Sequence, residues 1–166
     1  MLIATLGSVN SNSYVTLDEA DVYFENRMHS GAWFKVQDQE PFLISASAML
    51  DWSFTWKGKR SFAGQSMQWP RTGAIRPNGE VIDRDIIPQE IKIAVFELAL
   101  DNLDSDRTLR DPLSGIGQLQ AGSLMIKASF KETNTRQSND KIIPHHVFGI
   151  VSDLYHRGGS VWLLRA

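Results

Sequence analysis

No cysteine occurs in the 166 residues, which excludes disulfides, thiolate metal sites and thiol catalysis and suits synthesis in a reducing cytoplasm. A run of about 18 apolar residues is also missing. The start, MLIATLGSVNSNSY, has neither the basic opening nor the long apolar stretch of a secretory signal, so neither membrane insertion nor secretion is expected. Charge of one sign is not in excess: seventeen Lys and Arg stand against nineteen Asp and Glu, a formal charge of −2. Such a chain is not drawn to polyanions as a whole, so any nucleic-acid contact must be local. With 42% hydrophobic and 22% charged residues, the composition is that of an ordinary globular protein with room for one cored domain.

Signatures of catalysis are missing as well. There is no glycine-rich phosphate loop, nucleophile elbow or dinucleotide fingerprint, and each of those chemistries needs its residues at fixed spacing. His145 and His146 are adjacent, which on a helix points them about 100° apart, and no second pair stands at the i, i+4 spacing of zinc sites. Glu80, Asp83 and Asp85 lack the further ligands of a calcium loop and read as a solvated turn. A protein that is not an enzyme, with no cofactor and no metal, is expected.

What the chain does have is concentrated between Trp52 and Ile75, WSFTWKGKRSFAGQSMQWPRTGAI. Three of the five tryptophans lie there with Lys57, Lys59, Arg60 and Arg71 and no acidic residue. Rings interleaved with cations suit a nucleic acid, because the rings offer stacking faces and the cations neutralise phosphates. The same rings equally suit a satellite core that fastens an irregular loop to a helical body.

Around this segment the pattern is helical. Thr16 followed by Glu19 has the form of a capping box, and Leu17, Ala20, Tyr23, Phe24 and Met28 recur at helical spacing until His29-Ser30-Gly31. A second helix is expected from about Asp38 to Trp52 and a third from about Pro88 to Leu103. The third is apolar on two faces: Ile91, Ala94, Val95 and Leu98 form one stripe, and Ile93, Phe96, Leu100 and Leu103 another. Such a helix is either the centre of the bundle or a subunit contact. Leu124, Ile126, Ala128 and Phe130 alternate as a strand does, with 117–121 as a hairpin partner. A two-stranded ribbon is marginal alone, so Leu124, Ile126 and Phe130 join the candidate subunit contacts. A last helix is expected from about Pro144 to Arg157, stopped by Gly158-Gly159. The apolar tail beyond it, with Val161, Trp162, Leu163, Leu164 and Arg165, either docks on a partner as an added strand or folds back on its own bundle. The expected fold is mainly α: a bundle of about four helices (1–104 plus 142–157), a β-hairpin arm (105–141) and an extended C-terminal docking tail (158–166).

Three blocks together carry a family resemblance. They are Asn12-Ser13-Tyr14-Val15 leading into Thr16, Glu19, Ala20 and Tyr23; Leu50-Asp51-Trp52 through Trp56-Lys57-Gly58; and Gln65 with Trp69-Pro70-Arg71-Thr72-Gly73, then Asp85, Ile87-Pro88 and Glu97-Leu98-Ala99. Most of positions 10–103 resembles tailed-bacteriophage proteins of the DnaT-like single-stranded-DNA-binding family, whose relatives include head-tail connector, or adaptor, proteins. The resemblance implies a structural virion protein at the head-tail neck, made in the host bacterial cytoplasm. It would be a ring homo-oligomer, a dodecamer, that binds the portal protein through the tail and offers a neck or tail completion protein a platform. Duplex DNA would pass through the channel with weak, non-specific contact. The alternative is a single-stranded-DNA-binding replication protein that uses segment 52–76, where Trp56 stacks on bases and Lys57, Lys59, Arg60 and Arg71 hold phosphates.

Overall fold

The structure, a computed structural model, describes residues 1–104, 118–121, 124–127 and 143–156. The first helix, α1 (Leu17–Glu25), starts where the sequence says it must. The Thr16 hydroxyl accepts from the Glu19 amide at 3.2 Å, and the Glu19 carboxylate accepts from the Thr16 amide at 3.1 Å, so two donors that the helix leaves orphaned are satisfied reciprocally. It ends earlier than the apolar spacing suggests, at Asn26, and His29 takes a left-handed φ of 62°. A 3₁₀ turn at Trp33–Lys35 then sends the fully buried Trp33 ring against Phe24, with its indole N–H donated to Asp21 at 2.8 Å.

Helix α2 (Glu40–Ser53) and helix α3 (Gln89–Asp104) pack against each other as the body of the bundle. From α2 come Leu43, Ala46, Met49 and Leu50; from α3 come Ile91, Ala94, Val95, Leu98 and Ala99. The extended N-terminal segment is tied to α2 where the Tyr14 amide donates to the Ser47 hydroxyl at 3.2 Å. The last helix, α4 (His145–Ile150), is shorter than its periodicity implies. At Val151 the chain leaves the helix, and it then runs out beside the aromatic segment, so that Tyr155 bridges Trp56 in antiparallel fashion.

Two short ribbons complete the described elements. Strands β1 (Lys59–Arg60) and β2 (Arg71–Thr72) pair antiparallel, Lys59 with Thr72 and Arg60 with Arg71. Strands β3 (Gln118–Ala121) and β4 (Leu124–Lys127) form the expected hairpin, Leu119 opposite Ile126 and Ala121 opposite Leu124. The remainder of the 105–141 arm with Phe130, and the whole 158–166 tail with Val161, Trp162, Leu163, Leu164 and Arg165, lie outside the described residues, as do the side chains of Leu124 and Ile126.

The second apolar face of α3 needs correcting as a subunit contact. Phe96 is 2% exposed, stacked on Tyr23 at 4.7 Å and edge-on to Phe24 at 6.1 Å. Leu100 and Leu103 are partly buried and pack against the same core. For Phe96, helix α1 supplies the cover that a neighbouring subunit was expected to supply, through Tyr23 and Phe24, while Ile93 on the same face is half-buried. Phe96→Ala is accordingly expected to cost about 3–5 kcal/mol of unfolding free energy, read by urea denaturation, with the native mass in light scattering unchanged.

Candidate nucleic-acid interface

The aromatic and basic segment divides into an inner and an outer set. Trp56 is 4% exposed and Trp69 is 1% exposed, and their rings meet edge to face at 6.0 Å. Phe54 lies on Trp56 at 5.0 Å and on Tyr155 at 4.8 Å. Trp56, expected as a stacking platform, is thus corrected to a core residue: its faces are occupied by other rings. Aromatic pairs of this kind add about 0.5–1.5 kcal/mol each beyond the area they bury.

Arg71 is corrected in the same way. It is 9% exposed and spends its donors on the chain itself. Nε donates to the Lys57 carbonyl at 2.7 Å, Nη1 to the Gln68 carbonyl at 3.1 Å and side-chain oxygen at 3.0 Å, and Nη2 to the Gly58 carbonyl at 2.7 Å. Burial pulls its pKa below the ordinary arginine value. A buried guanidinium with that many acceptors is a brace and not a phosphate clamp. Gly58 belongs to the brace: its φ is +75°, and a Cβ there would stand 2.5 Å from the Thr72 carbonyl oxygen. Gln65 braces the intervening loop, accepting from the Phe62 amide at 2.9 Å and donating to the Met67 and Pro70 carbonyls at 2.8 and 3.1 Å. Lys57 is also engaged, its Nζ donating to the Asp153 carbonyl at 2.8 Å.

The outer set is what this brace presents. Lys59 and Arg60, both exposed, form β1, and neither takes part in an ion pair among the described residues. Arg60 reaches Gln68 and the Gln65 carbonyl only at 3.4 Å. Trp52, at the end of α2, is 53% exposed. Arg84, which the sequence did not single out, lies 5.8 Å from the centre of the Phe62 ring and pairs with the exposed Asp85 at 3.5 Å. Its one signal in the sequence is a cation inside an otherwise acidic turn. No group of His, Asp and Glu among the described residues could hold a metal ion, and no described helix is long and apolar enough to cross a membrane.

A family model described as "Putative DnaT-like ssDNA binding protein" matches residues 2–165. The chain belongs to this family. No curated protein and no solved structure matches it. For a member of the DnaT-like family, the expectation of a head-to-tail connector ring on a portal is corrected. The matched description, spanning nearly the whole chain, is that of a single-stranded-DNA-binding protein and not of a virion neck component.

Beneath the outer set of this DnaT-like chain sits a titrating group. The Tyr14 hydroxyl accepts from the Gln68 and Trp69 amides at 3.1 and 3.2 Å and donates to Asp51. Asp51 also accepts from the Gln68 amide at 3.1 Å. Burial raises the Asp51 pKa to about 6, against the lowering pull of those donors and of Arg60 and Arg71. Because the folded value lies above the unfolded value of about 3.9, the folded state holds the extra proton. Its stabilising contribution should therefore be full below about pH 4 and be lost as pH rises toward the folded value, by roughly 2 kcal/mol between pH 4.5 and 6.5, with little further change above that. Glu97 acts in the opposite sense: burial raises its pKa, but hydrogen bonds from Arg27 and Tyr23 outweigh that and hold it below the ordinary value, so its contribution is lost on acidification below about pH 4.5. Thermal melts from pH 4.5 to 7.5 should show the decline in the native chain and not in Asp51→Asn; a flat native profile would mean that the carboxylate is solvated.

Proposed function

We propose that the protein binds single-stranded DNA, with β1 and its surroundings as the contact. Lys59 and Arg60 take backbone phosphates, Arg84 a further one beyond Phe62, and Trp52 offers a ring on which a base stacks. The observation that carries this reading is the exposed Lys59-Arg60 pair, which forms no ion pair among the described residues and is held on a hydrogen-bonded ribbon, in a chain of the DnaT-like family. Rigidity matters because β1 is hydrogen-bonded to β2, and β2 begins with the buried Arg71. The cations are therefore displayed without the ordering cost of a floppy loop. Gln68 links the end of α2 to this ribbon, its amide donating to Asp51 at 3.1 Å and its side-chain oxygen lying 3.4 Å from Arg60 Nε, and Trp52 is the residue after Asp51.

The net charge of −2 fits modest affinity. Attraction comes from a few local phosphates and stacking rather than from the field of the whole molecule. The brace residues Arg71, Gln65 and Trp69 shape the surface without touching the strand.

Fluorescence anisotropy with a labelled single-stranded oligonucleotide between 50 and 200 mM salt tests this directly. The double variant Lys59→Ala/Arg60→Ala should flatten the slope of log affinity against log salt by about 1.4, two phosphates' worth for a single strand. Trp52→Ala should cost about 1–3 kcal/mol of binding with the slope unchanged. Native-like affinity in the double variant would overturn the assignment.

A further inference from the structure

Beside the ribbon lies a cleft of about 420 Å³ lined by Lys57, Pro77, Ser152, Asp153, Tyr155 and His156. Three elements distant in sequence make it: the loop entering β1, the Arg76–Gly79 turn, closed by the Gly79 amide on the Arg76 carbonyl at 3.0 Å, and the segment after α4. Main-chain bonds hold its walls together, the Lys57 amide donating to the Leu154 carbonyl at 3.0 Å and the His156 amide to the Thr55 carbonyl at 2.8 Å. Its chemistry is mixed in a way that a plain packing seam is not. An aromatic ring, an ammonium, an imidazole and a carboxylate all line one opening.

Each group has capacity left for a ligand. Lys57 Nζ donates to the Asp153 carbonyl at 2.8 Å and approaches the Ile75 carbonyl at 3.5 Å; an ammonium has three donors, so one remains. Tyr155 packs on Phe54 at 4.8 Å yet keeps part of its surface in the cleft. The side chains of Asp153 and His156 are exposed. Lys57 also stands two residues before Lys59, so the loop that lines the cleft leads through Gly58 directly into the cationic ribbon.

Resting on the single-stranded-DNA reading above, we infer that this cleft is a nucleotide subsite, in which one base lies against Tyr155 and its phosphate meets Lys57 and His156. The Asp153 carboxylate would repel a phosphate, so it faces the base edge. There it accepts a hydrogen bond from an exocyclic amino group. Cytosine carries such a donor at N4, whereas thymine presents an acceptor at the same position. The subsite therefore prefers cytosine to thymine, two bases of one size and one backbone charge.

The test uses the full chain and labelled dC12 and dT12 in anisotropy titrations, with Asp153→Asn and His156→Ala, both at exposed side chains, and circular dichroism to confirm folding. The native protein should bind dC12 at least about tenfold more tightly than dT12, the lower end of the worth of one hydrogen bond to a charged group. Asp153→Asn should abolish that ratio, and His156→Ala should weaken both oligonucleotides equally. If the native protein prefers dT12 or neither, or if Asp153→Asn keeps the ratio, the subsite is wrong. If both variants bind as the native chain does while Lys59→Ala/Arg60→Ala loses binding, the ribbon stands and the subsite falls. Binding of neither oligonucleotide by the native chain overturns the ribbon and the subsite together.

Discussion

The buried guanidinium of Arg71 is the constraint from which the rest of the aromatic segment follows. A permanent charge taken out of water is tolerated only if its donors are met, and here main-chain carbonyls of Lys57, Gly58 and Gln68 meet them. Those carbonyls come from both limbs of the loop, so one side chain fixes where the limbs cross. Once they cross, Gly58 has no room for a Cβ, β1 must pair with β2, and Trp56 and Trp69 are brought ring to ring. The cations outside the crossing are displayed because the one inside it is consumed.

Much of the fold was legible. The Thr16–Glu19 box and the Pro88 start of α3 are local signals, and local signals survive the absence of tertiary information. What misled was a count of apolar faces. A helix with two greasy sides needs two covers, and periodicity cannot say whether the second comes from the same chain. Tyr23 and Phe24 answer that for Phe96, through a ring contact that spans the bundle. The shortness of α4 was hidden for a similar reason: Val151 and Leu154 keep the helical stripe but are buried while the chain is already leaving the helix.

The site was legible in composition and not in assignment. Four cations and three tryptophans marked the segment that carries the proposed interface, yet the sequence treated them as one class. Burial separates them: Arg71 and Trp56 turn inward, Lys57 braces the Asp153 carbonyl, and Lys59, Arg60 and Trp52 remain outside. The distinction rests on which side chains find acceptors in the folded chain, and those acceptors are carbonyls, which no residue letter encodes. Asp51 belongs to the same lesson. Its perturbation comes from being covered by Tyr14 and the loop around Gln68, and an aspartate at the end of a helix gives no sign of that.

The clasp between Trp56 and Tyr155 joins positions far apart in the chain, and the neighbouring Lys57 to Asp153 bond spans 96 residues. Such a closure carries a large loop entropy that must be met before any contact rewards it. On the ribosome, the aromatic layer beneath the proposed interface cannot close until almost the last residue described has emerged. Helices α1 to α3 can assemble first, and the aromatic layer closes only after Tyr155 has been made. A chain halted before Tyr155 would thus carry these helices with the Trp56 loop still open.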